Sequence, residues 1–395
     1  MSEDPAATQP GTAPRPEPPA SVASRIRRLL LPALIGLAFG GGGILLGQQA
    51  RRSAWMASNL DALGAIDLLA WPVIFFAVIL IHELGHLTGG LIRGMRFLLL
   101  IVGPLRLRRT VSGLKLDWFL SGQTFGGLAA AMPDLQRPLR AQLLPLIVGG
   151  PLASLLLAVA ALGLSTTVDG RTAAHLLILG AMSAMIFLVT VVPMRAGGFQ
   201  SDGMQCIELL RGGPAVEQRT LLMAVYAQSL AGVRPRDRDP APLERALQLR
   251  GDEPVRDTGA ALMAYQAALD RRDLKAAGEW IDCVAVGHDA YPAMFRQTLA
   301  NEIAFFSARY RHDIDAATAW SARAHGGAVE PSSRALTEAA IALDRGDTTM
   351  ALQAIQRGEL ALGQSSDAGS VALLGDELSS LRADALTLRA RRVPS

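Results

Sequence analysis

The chain has 395 residues, half of them hydrophobic, and its formal net charge at pH 7 is +3. A charge this small, with no basic stripe interleaved with aromatic residues, argues against a nucleic-acid-binding protein. The two cysteines, Cys206 and Cys283, form no spaced pair and indicate neither a disulfide framework nor a thiolate metal site.

The N-terminal part of the chain divides into a polar tail and a series of apolar stretches. Residues 1–24 are rich in Pro, Ala, Ser and Thr and are expected to be disordered. The first apolar run begins only at Leu29, so no signal peptide is expected. Four stretches approach the length of about 20 apolar residues that a transmembrane helix needs: 29–47, 68–92, 143–164 and 173–193. We therefore expect a polytopic membrane protein with about four transmembrane helices.

The distribution of basic residues predicts the orientation in the membrane. They are concentrated between the second and third stretches, at Arg93, Arg96, Arg106, Arg108, Arg109, Lys115, Arg137 and Arg140. The turn between the third and fourth stretches carries only Arg171. By the positive-inside rule the basic segment is cytoplasmic, and Arg25, Arg27 and Arg28 place the N-terminus on the same side. Four crossings return the C-terminus to the cytoplasmic side. We expect the membrane to be a bacterial inner membrane. Arg51 and Arg52 then fall on the opposite side, against the rule.

The segment between the second and third stretches has the pattern of β-strands. Leu105 and Leu107 alternate with arginines, and Ser112-Gly113 marks a turn before a second alternating run, which contains Leu114 and Leu116. The pattern predicts a small cytoplasmic β-hairpin or sheet that lies against the membrane face.

Two histidines and a glutamate interrupt the second stretch, in the sequence WPVIFFAVILIHELGHLTGGL that begins at Trp71. His82 and His86 are four residues apart and therefore share one face of a helix. Two neutral imidazoles at this spacing can bind one zinc ion. Glu83 beside them can take a proton from the attacking water and pass it to a leaving amine. Because such groups are costly inside a bilayer, the H-E-x-x-H motif indicates a functional site.

A catalytic zinc site needs a third protein ligand, and the sequence offers two candidates. His175 lies near the outer end of the fourth stretch, too far from the inner end of the second, and is expected to be an interfacial polar group. Asp202, in GGFQSDGMQ, follows the fourth stretch at its cytoplasmic end, where glycines allow a close approach to a neighbouring helix. The same pattern suits a helix N-cap at Ser201 or Asp202, so the local sequence leaves both roles of Asp202 open.

These motifs together resemble the site-2 protease family of intramembrane zinc metalloproteases, peptidase family M50. Members share H-E-x-x-H in one membrane helix and an Asp-Gly pair near the end of a later one, here Asp202-Gly203. The middle span is similar to the family's Gly-Pro helix start at Gly150-Pro151, and VGPLRLRR is similar to the segment that follows the first catalytic helix. The resemblance covers about residues 65–210.

The resemblance implies that His82, His86 and Asp202 hold a zinc ion (Zn2+) and that Glu83 is the general base. The implied reaction is hydrolysis of a peptide bond in or next to a transmembrane segment of another protein. Two positions depart from the family pattern. Thr190 stands where an Asn usually precedes a Pro by three residues, and Ser154 stands where the middle helix commonly has an Asn. No PDZ or CBS domain is apparent.

The C-terminal half has the pattern of paired amphipathic helices. Three segments are alike: AYQAALDRRDLKAAGEWI, AFFSARYRHDIDAATAW and AAIALDRGDTTMALQAI. Their turns are centred on Asp273, Asp313 and Asp347, which are 40 and 34 residues apart. A period near 34 resembles tetratricopeptide repeats, which offer a concave surface to a protein partner. A non-repetitive helical bundle is the open alternative.

The predicted fold is mainly α, with three parts: a disordered tail (1–24), a membrane-embedded metalloprotease core (25–210) and a soluble, TPR-like helical domain (211–395). The predicted function is that of a zinc endopeptidase that acts on a transmembrane protein substrate in the lipid bilayer, with a cytoplasmic partner at the helical domain. One alternative is a catalytically inactive membrane-anchored scaffold, against which the intact H-E-x-x-H motif weighs. Another is a metalloprotease with a soluble active site and a later Glu in place of Asp202, which the apolar flanks of the motif contradict.

Overall fold

The computed structural model describes residues 48, 53–118, 126–134, 136–196, 199–249, 251, 254–325 and 329–392. The predicted tail (1–24) and the first predicted span (29–47) lie outside these residues. The described chain forms two compact units, one of residues 53–109 and 114–227, the other of residues 228–392 with the four residues 110–113. The domain boundary predicted at residue 211 stays a prediction.

The first unit contains three helices long and apolar enough to cross a membrane. After a short helix α1 (Ala54–Leu60), they are α2 (Ala70–Ile92), α3 (Leu139–Ser165) and α4 (Gly170–Val191). A 3₁₀ turn (Ala65–Leu69) extends α2 at its start. The three helices coincide with the second, third and fourth predicted spans and fit a membrane protein. The count of four spans stays a prediction.

Helices α2 and α3 pack backbone against backbone. A β carbon on Gly85 would lie 2.3 Å from the Gly149 carbonyl oxygen, and one on Gly89 would lie 2.0 Å from the Pro145 carbonyl oxygen. Small residues at such crossings are typical of membrane helices, where lipid offers no hydrophobic drive for association and close van der Waals contact replaces it. The contact holds the helix that carries the H-E-x-x-H motif directly against α3.

A four-stranded sheet lies between α2 and α3 in the sequence. Its strands are β1 (Arg96–Val102), β2 (Leu105–Thr110), β3 (Gly113–Trp118) and β4 (Gly127–Met132), in the order β3-β2-β1-β4. The predicted hairpin is confirmed, with its turn at Val111-Ser112 and Gly113 as the first residue of β3. Strands β1 and β4 extend it to a sheet. Asp117 on β3 accepts hydrogen bonds from Arg106 (2.6 Å) and Arg108 (3.2 Å) on β2, which ties the hairpin together.

The chain after α4 turns sharply into a short helix. The strands β5 (Arg195–Ala196) and β6 (Phe199–Gln200) form a two-stranded hairpin, and α5 (Asp202–Arg211) and α6 (Pro214–Leu230) follow. Ser201 caps α5, since its Oγ accepts from the Met204 N–H at 3.2 Å. The same hydroxyl donates to the Val192 carbonyl at 2.7 Å, so the start of α5 is tied to the end of α4.

The described part of the second unit from residue 228 onward consists of helices and their connecting turns. Its helices are α7 (Pro240–Gln248), α8 (Pro254–Asp270), α9 (Leu274–Gly287), α10 (Ala293–Tyr310), α11 (Ile314–Arg323), α12 (Pro331–Asp344), α13 (Thr348–Ala361) and α14 (Ala368–Arg392). Short 3₁₀ turns lie at Pro235–Asp237, His288–Ala290 and Leu362–Gln364. Large side chains with almost no exposure form its core, namely Tyr265, Ile281, Leu299, Ile355, Leu378 and Leu381.

The three predicted turns in this unit share one backbone geometry. Asp273, Asp313 and Asp347 each cap a helix, and each carboxylate accepts from the N–H three residues later at 2.9–3.0 Å. The residue before each aspartate has a positive φ, at Arg272 (62°), His312 (52°) and Gly346 (77°). The helical hairpins α8–α9, α10–α11 and α12–α13 are therefore built on the same turn. Their assignment to the tetratricopeptide class stays a prediction.

Candidate metal centre

His82 and His86 lie one turn apart on α2 and face each other across 3.2 Å between their Nε2 atoms. Both imidazoles are largely removed from solvent. The Nδ1 atom of His86 is 2.7 Å from the Leu146 carbonyl oxygen on α3. Because a carbonyl oxygen only accepts, this Nδ1 carries the proton, and the lone pair of the neutral ring is on Nε2. The Nδ1 atom of His82 lies 2.9 Å from the Ser154 hydroxyl, also on α3.

Asp202 is brought to the two imidazoles by the turn between α4 and α5. Its Oδ2 lies 3.4 Å from the His82 Nε2 and 3.5 Å from the His86 Nε2. Of the two roles that the sequence left open, the N-cap belongs to Ser201, while Asp202 is the first residue of α5. A β carbon on Gly203 would lie 1.8 Å from the Val191 carbonyl oxygen, so glycine is needed where α5 starts against the end of α4.

The three ligand atoms form a nearly equilateral triangle with sides of 3.2, 3.4 and 3.5 Å. Zinc binds nitrogen and carboxylate oxygen at about 2.0–2.2 Å, and tetrahedral angles then place ligand atoms about 3.3–3.5 Å apart. Two nitrogens and one carboxylate oxygen also match the donor set of catalytic zinc sites, which leave a fourth position open. The group His82, His86 and Asp202 can therefore hold a metal ion, and its donor geometry fits zinc.

Glu83 shares a cavity of about 380 Å³ with the three candidate ligands. Glu83 is 7% exposed, and the backbone of β4 packs against its carboxylate. A β carbon on Gly127 would lie 2.3 Å from the Glu83 Oε1, and the Ala129 N–H lies beside the same carboxylate. Strand β4 thus fixes the position of Glu83 at the cavity wall.

Two further contacts shape the cavity around the ligands. Gly150 on α3 lies under His86, and a β carbon there would be 2.2 Å from the His86 Nε2. Thr190 lines the cavity near the end of α4, and its hydroxyl donates to the Phe187 carbonyl at 3.3 Å. His175 lies apart from this centre, with its Nε2 3.5 Å from the Asp67 Oδ1.

The structure adds residues whose role the sequence did not reveal. Ser154 stands out in the sequence only as a departure from the family pattern. Ser183, whose hydroxyl donates to the Ser154 carbonyl oxygen, belongs to no motif, and neither do Gly127 and Ala129. Ser154 and Ser183 did carry one signal, because a polar side chain in an apolar span is costly and is therefore often functional. Gly127 and Ala129 carry no such signal, because they contact Glu83 through the backbone of β4 and not through a polar side chain.

Comparison with known proteins finds a family but no individual relative. The family model for peptidase family M50 matches residues 70–358. This range includes His82, Glu83, His86 and Asp202. No curated protein and no solved structure matches the chain.

Proposed function

The chain belongs to peptidase family M50, and we propose that it is an intramembrane zinc metalloendopeptidase. Its substrates would be membrane proteins, cleaved at peptide bonds in or next to their transmembrane segments. One observation carries the proposal: the triangle of His82 Nε2, His86 Nε2 and Asp202 Oδ2 shares a cavity with Glu83. The two histidines and Glu83 lie on a helix that is long and apolar enough to cross a membrane.

The proposed roles follow from the positions of the side chains. His82, His86 and Asp202 would hold the ion and leave its fourth position open. A bound zinc ion supplies Lewis-acid polarisation of the scissile carbonyl and acidification of the attacking water. Glu83 would accept the proton that this water loses and donate it to the nitrogen of the leaving amine. The β4 backbone would hold the Glu83 carboxylate in place for both transfers.

Strand β4 supports binding of the substrate in an extended form. It pairs with β1 along one side and is an edge strand of the described sheet. Its residues 127–129 line the cavity that contains Glu83. An extended peptide can add to such an edge through main-chain hydrogen bonds. A transmembrane substrate would therefore unwind locally at the centre, because the backbone groups of an intact helix are already paired.

The proposed location is a bacterial inner membrane, with both termini in the cytoplasm. The charge pattern supports this orientation, because Arg93 follows the end of α2, Arg137 and Arg140 lie at the start of α3, and only Arg171 lies at the turn between α3 and α4. The helical unit from residue 228 onward would bind a cytoplasmic protein partner. Its three hairpins with one shared turn support this role, since repeat proteins use such stacks for recognition.

A catalytically inactive membrane-anchored scaffold is the competing function. Thr190 favours it, because the residue replaces an Asn of the family pattern and its hydroxyl is engaged by the Phe187 carbonyl. The convergence of two imidazoles and two carboxylates weighs against it, since a scaffold gains nothing from such groups in lipid.

Glu83→Gln tests the proposal without removing a ligand. Membranes from cells that produce the wild type or the variant would be labelled at new protein N-termini and analysed by mass spectrometry. We expect termini in or next to transmembrane segments in the wild-type sample, and their loss in Glu83→Gln while zinc content stays equal. Glu217→Gln, an exposed position on α6, is the matched control and should behave as the wild type. The same new termini in the wild type and in Glu83→Gln would overturn the assignment.

A further inference from the structure

Ser154 lies in the interior of α3, with none of its surface exposed, and its hydroxyl is 2.9 Å from the Nδ1 atom of His82. We propose that Ser154 is a positioning residue of the metal centre. Its hydroxyl accepts a hydrogen bond from the His82 Nδ1–H and so turns the lone pair of Nε2 toward the ion. The inference rests on the proposed zinc centre and assigns the group that holds one of its ligands.

The two histidines are held by different kinds of acceptor. The partner of His86 is the Leu146 carbonyl oxygen, which can only accept and which no side-chain substitution removes. The partner of His82 is a hydroxyl, which can either donate or accept. When the His82 Nε2 gives its lone pair to a metal, the remaining proton of the ring is on Nδ1, and the Ser154 oxygen must be the acceptor. The hydrogen bond at the His82 Nδ1 therefore depends on a single side chain.

Ser183 on α4 fixes the backbone that carries this hydroxyl. Its own hydroxyl donates to the Ser154 carbonyl oxygen at 2.7 Å, and the side chain has no exposed surface. Helix α4 leads directly into the turn that positions Asp202. Ser183 thus links the helix that supports His82 to the helix that precedes the third ligand, through the backbone rather than through the imidazole.

Loss of the Ser154 hydroxyl would leave the His82 Nδ1–H buried without an acceptor. The site lies between membrane helices, where a missing partner is not readily replaced by water. An unmade hydrogen bond of this kind is costly, and replacement of the group that orients a metal-binding histidine typically weakens metal affinity about 10–100-fold. The expected effect is therefore on zinc affinity, before any effect on proteolysis.

The test compares Ser154→Ala, Ser154→Thr and Ser165→Ala in the full-length protein in detergent. Ser165 is the matched control, because it lies on the same helix with no exposed surface, and its hydroxyl bonds only locally, to the Leu162 carbonyl. Zinc affinity would be measured by competition with a chelator. The visible absorption of bound Co2+ would report the ligand geometry, and thermal unfolding without metal would report the fold.

We expect Ser154→Ala to bind zinc about 10–100-fold more weakly and to shift the Co2+ spectrum. Ser154→Thr, which keeps the hydroxyl, should restore most of the affinity, and Ser165→Ala should match the wild type. Equal affinity of Ser154→Ala and the wild type would overturn the inference while leaving the zinc centre intact. So would a Ser154→Thr protein that unfolds like the wild type yet binds as weakly as Ser154→Ala. A wild type that binds no zinc would refute the proposed function and the inference together.

Discussion

Gly203 and Val191 are in such close contact that a β carbon on Gly203 would lie 1.8 Å from the Val191 carbonyl oxygen. The contact brings the start of α5 against the end of α4, and Asp202 is the first residue of α5. The aspartate reaches the imidazoles of α2 from this position. The geometry of the candidate centre therefore depends on a glycine that is itself no ligand.

Gly203→Ala should displace Asp202 and weaken zinc binding. The added methyl group has no space beside the Val191 backbone, so the start of α5 must move. We expect a loss of zinc affinity of about 10-fold or more, measured by competition with a chelator. Gly163→Ala on α3 is the matched control, because a β carbon there meets no atom within 4 Å. Unchanged zinc affinity in Gly203→Ala would show that the contact does not position the aspartate.

Gly127→Ala should separate proteolysis from metal binding. Its β carbon would lie 2.3 Å from the Glu83 Oε1, so the carboxylate must shift while the ligands keep their places. A misplacement of about 1 Å can cost about 100-fold in rate, so cleavage should fall by that order while zinc content stays equal. Gly126→Ala is the matched control, because a β carbon there meets no atom within 4 Å, and it should cleave at the wild-type rate. Full activity in Gly127→Ala would argue that Glu83 is not the base.

The stability of the C-terminal unit should fall as pH rises, because of Glu302 on α10. Burial raises the pKa of its carboxyl from 4.5 to about 7, although the Ser333 and Tyr265 hydroxyls favour the charged form. The folded state then binds more protons than the unfolded state between these two values. The stabilising effect of the protonated form is complete below about pH 4.5 and is lost as pH rises through about 7.

The expected loss is at most about 3–4 kcal/mol, since one pKa unit corresponds to about 1.4 kcal/mol. Hydrogen exchange measured by mass spectrometry on the peptides of α10 and α12 would follow it between pH 5 and pH 8, after correction for the intrinsic exchange rate. Glu302→Gln should remove the pH dependence, whereas Glu338→Gln, at an exposed ion pair with Arg357, should keep it. The same pH dependence in Glu302→Gln would exclude Glu302 as its source.

Asp347→Ala should destabilise the C-terminal unit by about 1 kcal/mol through the loss of a helix cap. The Asp347 carboxylate accepts from the Met350 N–H at 2.9 Å, and alanine leaves this N–H without its side-chain partner. Asp347→Asn keeps the acceptor and should retain most of the stability. Thermal unfolding of the three proteins measures the difference. Equal stability of Asp347→Ala and the wild type would mean that solvent replaces the cap without cost.

The sequence was sufficient to predict the three apolar helices and the pairing of His82 with His86, because each has a local signature. The apolar stretches are long enough to identify three of the helices, and the four-residue spacing of His82 and His86 places both on one face of α2. The three capping aspartates are also local features, and each begins the helix that the sequence suggested.

The supporting contacts could not be predicted, because they join residues that are distant in the sequence. The bond between His82 and Ser154 depends on how α2 crosses α3, and that crossing depends on the contact of Gly85 with Gly149. Whether Asp202 caps a helix or binds the metal could not be predicted for the same reason. Only the position of α5 relative to α2 separates the two roles, and no local pattern encodes it.

The zinc content of the purified protein is the first test of the proposed metal centre. Elemental mass spectrometry would compare the detergent-solubilised wild type with His86→Ala, Asp202→Ala and, as a control, Asp169→Ala at an exposed position beside α4. We expect about one zinc ion per chain in the wild type and in Asp169→Ala, and its loss in the other two variants. A wild type without stoichiometric metal, or an Asp202→Ala protein with its full zinc content, would refute the three-ligand zinc centre.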